Sequence, residues 1–380
     1  MSSVANRFDR MEWAGAFGDL GTFLPFVVAY IAIVKVPPEG ILVSFGLAMI
    51  LCGWYYRTPF PVQPMKGIGT IAATQAARMA AMSPAAVYAA DLVTGLIWLL
   101  LGLTGWARYI ARWVPRIVVA GIVLGLGMSF MLEGIRMMSA DWIVSTIGLA
   151  GTLLLLSARA IPVMFVLLLF GIACTIIQDP SSIQKLSAVR FAPHLPAVPL
   201  ASLSWRDVLT GTVLLALPQL PLTLGNAVIA TREENNRLFP DRSVTENSIA
   251  ISTGAMNLAS AVLGGVPMCH GAGGMAGHVT FGARTGGAPI ILGAVLLCLA
   301  LGFSDCVATV FNLFPRSVLG VILFVTGGQL ALGSGELGRT RAERFVTLVT
   351  AAFTVWNVGI AFVAGLTLAH LSKRGRLQVQ

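Results

Sequence analysis

Two segments about two hundred residues apart concentrate the side chains that could do chemistry: Pro61-Val62-Gln63-Pro64-Met65-Lys66-Gly67-Ile68-Gly69-Thr70 and Gly265-Val266-Pro267-Met268-Cys269-His270-Gly271-Ala272-Gly273-Gly274. Each sets a prolyl break before a Gly-rich helix start. Backbone N–H groups at a helix start carry a fractional positive charge that favours an anion. Lys66 would add a full charge to the first start. In the second, the small residues from Gly271 to Gly277 leave amides open to direct approach. His270 would donate one hydrogen bond when neutral and two when protonated, which makes binding there sensitive to pH. The chemistry these types can do together is noncovalent capture of an anion. Near His270 no second His or carboxylate has metal-ligand spacing, and its GxG lacks the βαβ surroundings of a dinucleotide site.

Further polar groups lie in otherwise apolar runs, where a charge is costly and therefore a functional candidate. Asp19 sits in Gly15-Ala16-Phe17-Gly18-Asp19-Leu20-Gly21-Thr22, whose three glycines permit close backbone approach. Its carboxylate either carries a coupling proton or neutralises Lys66 and caps a broken helix; both readings stay open. Lys66 has its own bland alternative, a snorkelling side chain or a partner for Asp19. Leu217-Pro218-Gln219-Leu220-Pro221-Leu222-Thr223-Leu224-Gly225-Asn226 places two prolines and two amides in one apolar span. Unwound backbone there would offer hydrogen bonds. The candidate binding set is Thr22, Gln63, Met65, Lys66, Gly67, Gln219, Asn226, His270, Gly271, Ala272 and Gly273, with Asp19 and His270 as candidate proton carriers. His278, Arg284 and Asp91 read as helix-end or packing groups.

The elements that must hold these residues are membrane helices. Of 380 residues, 56% are hydrophobic and 11% charged, with a mean hydropathy of +0.83. Such a chain is a polytopic integral membrane protein of one membrane domain. Apolar runs predict spans at 14–34, 40–56, 62–79, 85–106, 114–132, 142–158 and 161–178, then 206–230, 245–263, 268–283, 287–303, 307–331, 343–356 and 357–371. The last two are short enough to form a re-entrant pair. The first carries Asp19 and Pro25 and lacks a small-residue cleavage site, so it reads as a helix rather than a signal peptide. Five isolated cysteines without CxxC spacing give no zinc site and no disulfide framework. The net charge of +9 falls at helix ends, with no nucleic-acid-binding module.

Trp113-Val114-Pro115-Arg116 and Leu313-Phe314-Pro315-Arg316 open the fifth and twelfth spans at nearly the offset of the first pair of segments. Two matches in one register predict two repeats, 1–178 and 206–380, joined by an external linker at 179–205 with Pro180, Pro193, Pro196 and Pro199. Seven spans per unit make the second copy enter from the opposite side, an inverted repeat with interrupted half-helices at the midplane. With both termini cytoplasmic, roughly seventeen Lys and Arg fall inside and about seven outside, as the positive-inside rule requires.

Glu12-Trp13-Ala14-Gly15-Ala16-Phe17-Gly18-Asp19-Leu20-Gly21-Thr22, Pro61 to Lys66, Leu217 to Ala230 and Pro267 to Gly286 together resemble the molybdate transporter family, a branch of the sulfate permease superfamily. The resemblance covers most of the chain. It implies an all-α, seven-plus-seven fold like that of the uracil and sulfate permeases, with core and gate domains and the substrate between the third and tenth spans. It implies no cofactor, molybdate or sulfate as substrate, membrane lipid as surroundings, and a bacterial inner (plasma) membrane. A short polar tail after His370 leaves no C-terminal regulatory domain, and apolar gate helices are compatible with a homodimer.

Two opposed helix starts plus Lys66 suit a tetrahedral dianion. Carrying two negative charges inward against 100 mV costs about 4.6 kcal/mol, at roughly 2.3 kcal/mol per charge. Accumulation therefore calls for about two protons, anion exchange or intracellular consumption. A sulfate or other dianion carrier, or an anion channel, remains the alternative function. Nucleobase transport is disfavoured because His270 and glycines stand where carboxylates would bind ring N–H groups. An enzyme is disfavoured because no nucleophile–base pair appears among the spans.

Overall fold

Prolines mark the helix starts. In the computed structural model, which describes residues 5–69, 83–112, 114–155, 163–187, 190–307, 313–332, 334 and 337–374, four of the long helices begin at or just after one. Pro lacks the N–H that a first turn leaves unpaired anyway, and its fixed φ suits that position. The helices are α1 (Arg10–Ala16), α2 (Leu20–Ala29), α3 (Pro38–Tyr56), α4 (Pro84–Leu103), α5 (Trp106–Arg112), α6 (Arg116–Met138), α7 (Trp142–Leu155), α8 (Val163–Gln178) and α9 (Ser181–Ser187). The second half gives α10 (Trp205–Thr210), α11 (Leu217–Leu222), α12 (Thr231–Leu238), α13 (Glu246–Val262), α14 (Ala272–Thr280), α15 (Gly287–Phe303), α16 (Arg316–Leu332), α17 (Arg341–Trp356) and α18 (Val358–Lys373).

Among the described residues, α3, α4 and α6 are continuous helices long and apolar enough to cross a membrane, and the stretch from Trp205 to Leu238 adds a fourth, bent by 47°. Most remaining spans appear as shorter apolar helices. The third expected span, 62–79, is described only to Gly69, where 66–69 begin a helix. The twelfth differs from the expected 307–331, because the helix starts at Arg316, behind Pro315. The expected linker is not wholly irregular: it contains α9 and a 3-10 turn at Pro199–Ser202. The last two helices are 16 residues each, hinged at Asn357, whose side chain accepts from the Ile360 amide at 3.1 Å. At about 1.5 Å per residue each spans roughly 24 Å, short of a full bilayer crossing.

The eighth span is not unwound. π-helical turns at Gly211–Ala216 and Thr223–Ala230 flank α11, which contains Pro218 and Pro221. Wider turns accommodate residues that cannot donate to the i−4 carbonyl, so the helix bends instead of breaking.

The packing groups the helices in two sets. α3 lies along α15 and α4 along α13, while α6 lies along α16 with α7, α8, α17 and α18 around that pair. The first set holds helices on either side of the two prolyl breaks and the second the remainder, the division expected of core and gate domains. α3, before the first prolyl break, thus packs on α15, the second helix beyond the other break, and α13, before the second break, packs on α4, the second helix beyond the first. α6 and α16 approach through paired glycines: a Cβ on Gly127 would lie 2.6 Å from the Gly327 carbonyl oxygen, and one on Gly327 would lie 2.7 Å from that of Gly127. Close backbone contact through small residues is the usual means of joining helices where apolar burial alone cannot.

Candidate functional site

The two prolyl breaks meet. Gln63–Pro64 and Met268–Cys269 pair as short antiparallel strands, with Gln63 opposite Cys269 and Pro64 opposite Met268. The Met65 amide donates to the Pro267 carbonyl at 2.8 Å, and one helix starts at residue 66 while α14 starts at Ala272. Two helix N-termini therefore issue from one strand pair, which concentrates their amide dipoles in a small volume.

Lys66 is held by an aromatic face. Its Nζ lies 3.6 Å from the centroid of Phe130, a buried residue of α6. The same ring abuts the other helix start, since a Cβ on Gly273 would run into Phe130, with Cζ at 2.7 Å. A cation over a ring face is attracted by its quadrupole while keeping its charge. No ion pair joins Lys66 to a carboxylate among the described residues, so its charge is not cancelled by direct contact.

Asp19 has other company. Its Oδ1 accepts from Thr22 Oγ1 and from Gln63 Nε2, and the Gln63 amide also donates to Thr22 Oγ1 at 2.5 Å. All three are buried, and Asp19 Oδ2 has no hydrogen-bond partner among the described residues. That oxygen faces α14, 2.7 Å from where a Cβ on Gly274 would stand. Thr22 and Gln63 are thus turned toward Asp19. Gln219 secures the first helix start, its Oε1 accepting the Ile68 amide at 3.2 Å while its Nε2 donates to Thr223 at 3.0 Å. Asn226 Nδ2 lies 3.9 Å from a Cβ built on Gly271. Met65 and Gly67 flank Lys66, and Gly271, Ala272 and Gly273 form the second start. The elements thus gather every candidate around one crossing except the His270 ring.

Comparison with known proteins gives this crossing a context. The chain matches the family described as "Molybdate transporter of MFS superfamily" over residues 11–130 and 211–330, well over half its length. The chain belongs to the molybdate transporter family. The two matched segments lie 200 residues apart. Molybdate transporter 2 of Arabidopsis thaliana is 30% identical over 413 residues, covering 95% of this chain and 87% of that protein. Molybdate transporter 1 of Chlamydomonas reinhardtii is 28% identical, covering 93% and 90%. Among solved structures, SLC26A9 matches with a TM-score of 0.58 at 14% identity, covering 97% of this chain and 66% of that one. The transmembrane domain of the cyanobacterial bicarbonate transporter BicA matches at 0.58 and 15%, covering 95% and 98%. At those identities the structures establish the fold.

In this member of the molybdate transporter family, His270 faces away from the helix starts. Its Nδ1 lies 2.8 Å from the Pro61 carbonyl and its Nε2 2.7 Å from Ser252 Oγ, which also meets Tyr56 OH at 2.7 Å. With Nδ1 facing a carbonyl, the proton sits there and Nε2 accepts. Both nitrogens are occupied inside the protein, and the ring packs edge-on against Phe60. The imidazole ties the two prolyl breaks together; it is not placed to donate to a ligand or to exchange a proton there. His278 likewise binds a backbone, Gly15, at 2.8 Å.

Two residues with clear structural work carried no sequence signal of it. Phe130 is one apolar residue among many in its helix. Glu12, fully buried, accepts from the Arg284 and Thr285 amides at 2.9 Å and from the Ala288 amide at 3.2 Å, so it caps the start of α15. A carboxylate at a helix N-terminus is favoured by both its hydrogen bonds and the dipole. Asp207 of α10 accepts from the hydroxyl of Ser83, the N-cap of α4, at 3.1 Å.

An open cavity of 820 Å³ lies elsewhere, at the end of the bundle where α5, α6 and α12 meet, lined in part by Arg112, Arg116, Arg232, Arg237 and Arg339. Arg232 and Arg237 are paired with glutamates.

Proposed function

We propose that the protein is a secondary active transporter carrying a tetrahedral dianion, molybdate, inward across a cell membrane by alternating access. The observation that carries this reading is the convergence of two helix starts on Lys66, whose charge Phe130 holds without neutralising. Fractional charges from two N-termini and one ammonium suit a compact dianion without burying a permanent excess. The names of the plant and algal relatives supply molybdate as the member of that class.

Alternating access is supported by the reciprocal packing of α3 with α15 and α4 with α13, and by the 200-residue offset of the two family matches. Both are what an inverted repeat would produce. The arginine-lined cavity then forms the cytoplasmic mouth, in accord with the excess of basic residues on that side. Asp19, with one free oxygen at the second helix start, exchanges a proton as the substrate enters or leaves. His270 is not part of this step, because both its nitrogens are engaged.

Purified protein in liposomes loaded with unlabelled molybdate tests the reading. Labelled molybdate should enter by saturable counterflow, blocked by excess tungstate and not by uracil. Flux that never saturates and shows no counterflow would make the protein a channel, and flux of another solute alone would overturn the substrate.

A further inference from the structure

A second buried carboxylate lies outside the Lys66 crossing, in the middle of α4. Asp91 is fully buried, and neither of its oxygens has a hydrogen-bond partner among the described residues. It is the eighth residue of a 20-residue helix, so of the two expectations for it, helix end or packing, the first does not hold. The groups around it share its condition. The Thr94 hydroxyl, one turn along the same face, and the buried Tyr30 hydroxyl also lack partners. Ser260 of α13 is a hydroxyl that faces Asp91, but it donates to the Val266 carbonyl at 3.1 Å.

Among the described residues no cation compensates Asp91. Tyr30, at the end of the first span, is the titratable group within its electrostatic reach. The π-turn Gly211–Ala216, which packs on α4 through Gly211, contributes no titratable side chain. Asp207 of α10 sits at Ser83, eight residues earlier and so about 12 Å along the helix axis. Glu39 of α3 lies by Tyr88. Arg108 and Arg112 of α5 follow the far end of α4. An ionised carboxylate needs donors or a counter-charge when taken out of water, and among the described residues Asp91 has neither, whereas a carboxylic acid can occupy such a site. Asp19 contrasts with it, since two donors hold its Oδ1.

Tyr30 connects the two places. A Cβ on Gly69, in the turn that carries Lys66, would lie 3.4 Å from Tyr30 Cε2. A change in that turn on substrate release would therefore be felt at Tyr30, which interacts electrostatically with Asp91.

We propose that Asp91 is a second proton carrier of the transport cycle, neutral in this conformation and releasing its proton when movement at Tyr30 admits water. This rests on the reading as a dianion transporter, in which two charges call for two protons and His270 supplies neither. Asp91 takes up the proton on the outer side and returns it to water inside, with no bond change other than O–H.

The test is Asp91→Asn, an uncharged isostere of the acid, in proteoliposomes with and without an inward proton gradient. Each coupled proton multiplies accumulation about tenfold per unit of pH difference. The variant should keep molybdate counterflow and lose about tenfold of the gradient-driven accumulation per pH unit. Full gradient-driven accumulation in the variant overturns the proposal. Wild-type molybdate uptake indifferent to the gradient overturns it too while leaving the transport reading intact; absence of any wild-type molybdate flux defeats the transport reading itself. Should the variant not fold, infrared spectra of the wild type and of Asp19→Asn at neutral pH decide: both should show the carbonyl stretch of an un-ionised carboxylic acid, and its absence overturns the proposal.

Discussion

The backbone N–H of Met65 donates to the carbonyl of Pro267 at 2.8 Å, fastening one interrupted segment to the other across two hundred residues of chain. That bond, with the Gln63–Cys269 pairing, sets where both helices begin. Lys66 is the next residue after Met65, so its position is fixed by backbone geometry rather than by an ionic partner.

Phe130 should matter as much as a direct ligand. Phe130→Leu keeps an apolar side chain but removes the ring face under the Lys66 ammonium. A cation–π contact is worth roughly 0.5–2 kcal/mol. Molybdate affinity, measured as half-saturation of counterflow, should weaken several-fold, with the thermal unfolding midpoint little changed.

Gly18 and Gly277 mark the tightest approach of the first span to α14. A Cβ on Gly277 would lie 2.6 Å from the Gly18 carbonyl oxygen. Gly277→Ala should push the two segments apart and destabilise the protein by about 1–3 kcal/mol. The measurement is thermal unfolding in detergent, compared with Gly151→Ala, where the added carbon has nothing within 4 Å.

Glu12 caps three amides from a position remote in sequence. Its removal in Glu12→Ala leaves those N–H groups unsatisfied, at about 1–3 kcal/mol for a buried donor set that loses its acceptor. The unfolding midpoint should fall, and uptake per folded molecule should fall less.

Asp141, between α6 and α7, offers a pH test. The Val144 amide and the Gln178 side chain donate to its carboxylate, as does the Ile143 amide, and they hold it below the 3.8 of an ordinary aspartate. A depressed value in the folded state means these bonds stabilise the protein above the unfolded value. That contribution disappears as pH falls through the folded value. Asp141→Asn should therefore lower the unfolding midpoint near neutrality and reduce its steepness of decline below about pH 4.

Much of this architecture could be read from the chain because proline and glycine punctuate it. Pro61 to Gly69 and Pro267 to Gly274 announced helix starts, and Lys66 stood out as a charge in an apolar run. Its partner could not be foreseen: Phe130 comes from the fifth span, and nothing in its own segment sets it apart. His270 was misjudged for the same reason, since Pro61 lies 209 residues away. The prolines of the eighth span suggested unwinding, whereas π-turns absorb them. Asp91 looked like a packing group until burial and missing partners were known.

Labelled molybdate uptake by wild type and Lys66→Ala, reconstituted in parallel after matching their unfolding midpoints, tests the central claim most directly. The account predicts saturable wild-type uptake, abolished in Lys66→Ala, with Lys66→Arg retaining a reduced part of it. Unchanged uptake by folded Lys66→Ala would contradict an anion site built from the paired helix starts and this ammonium.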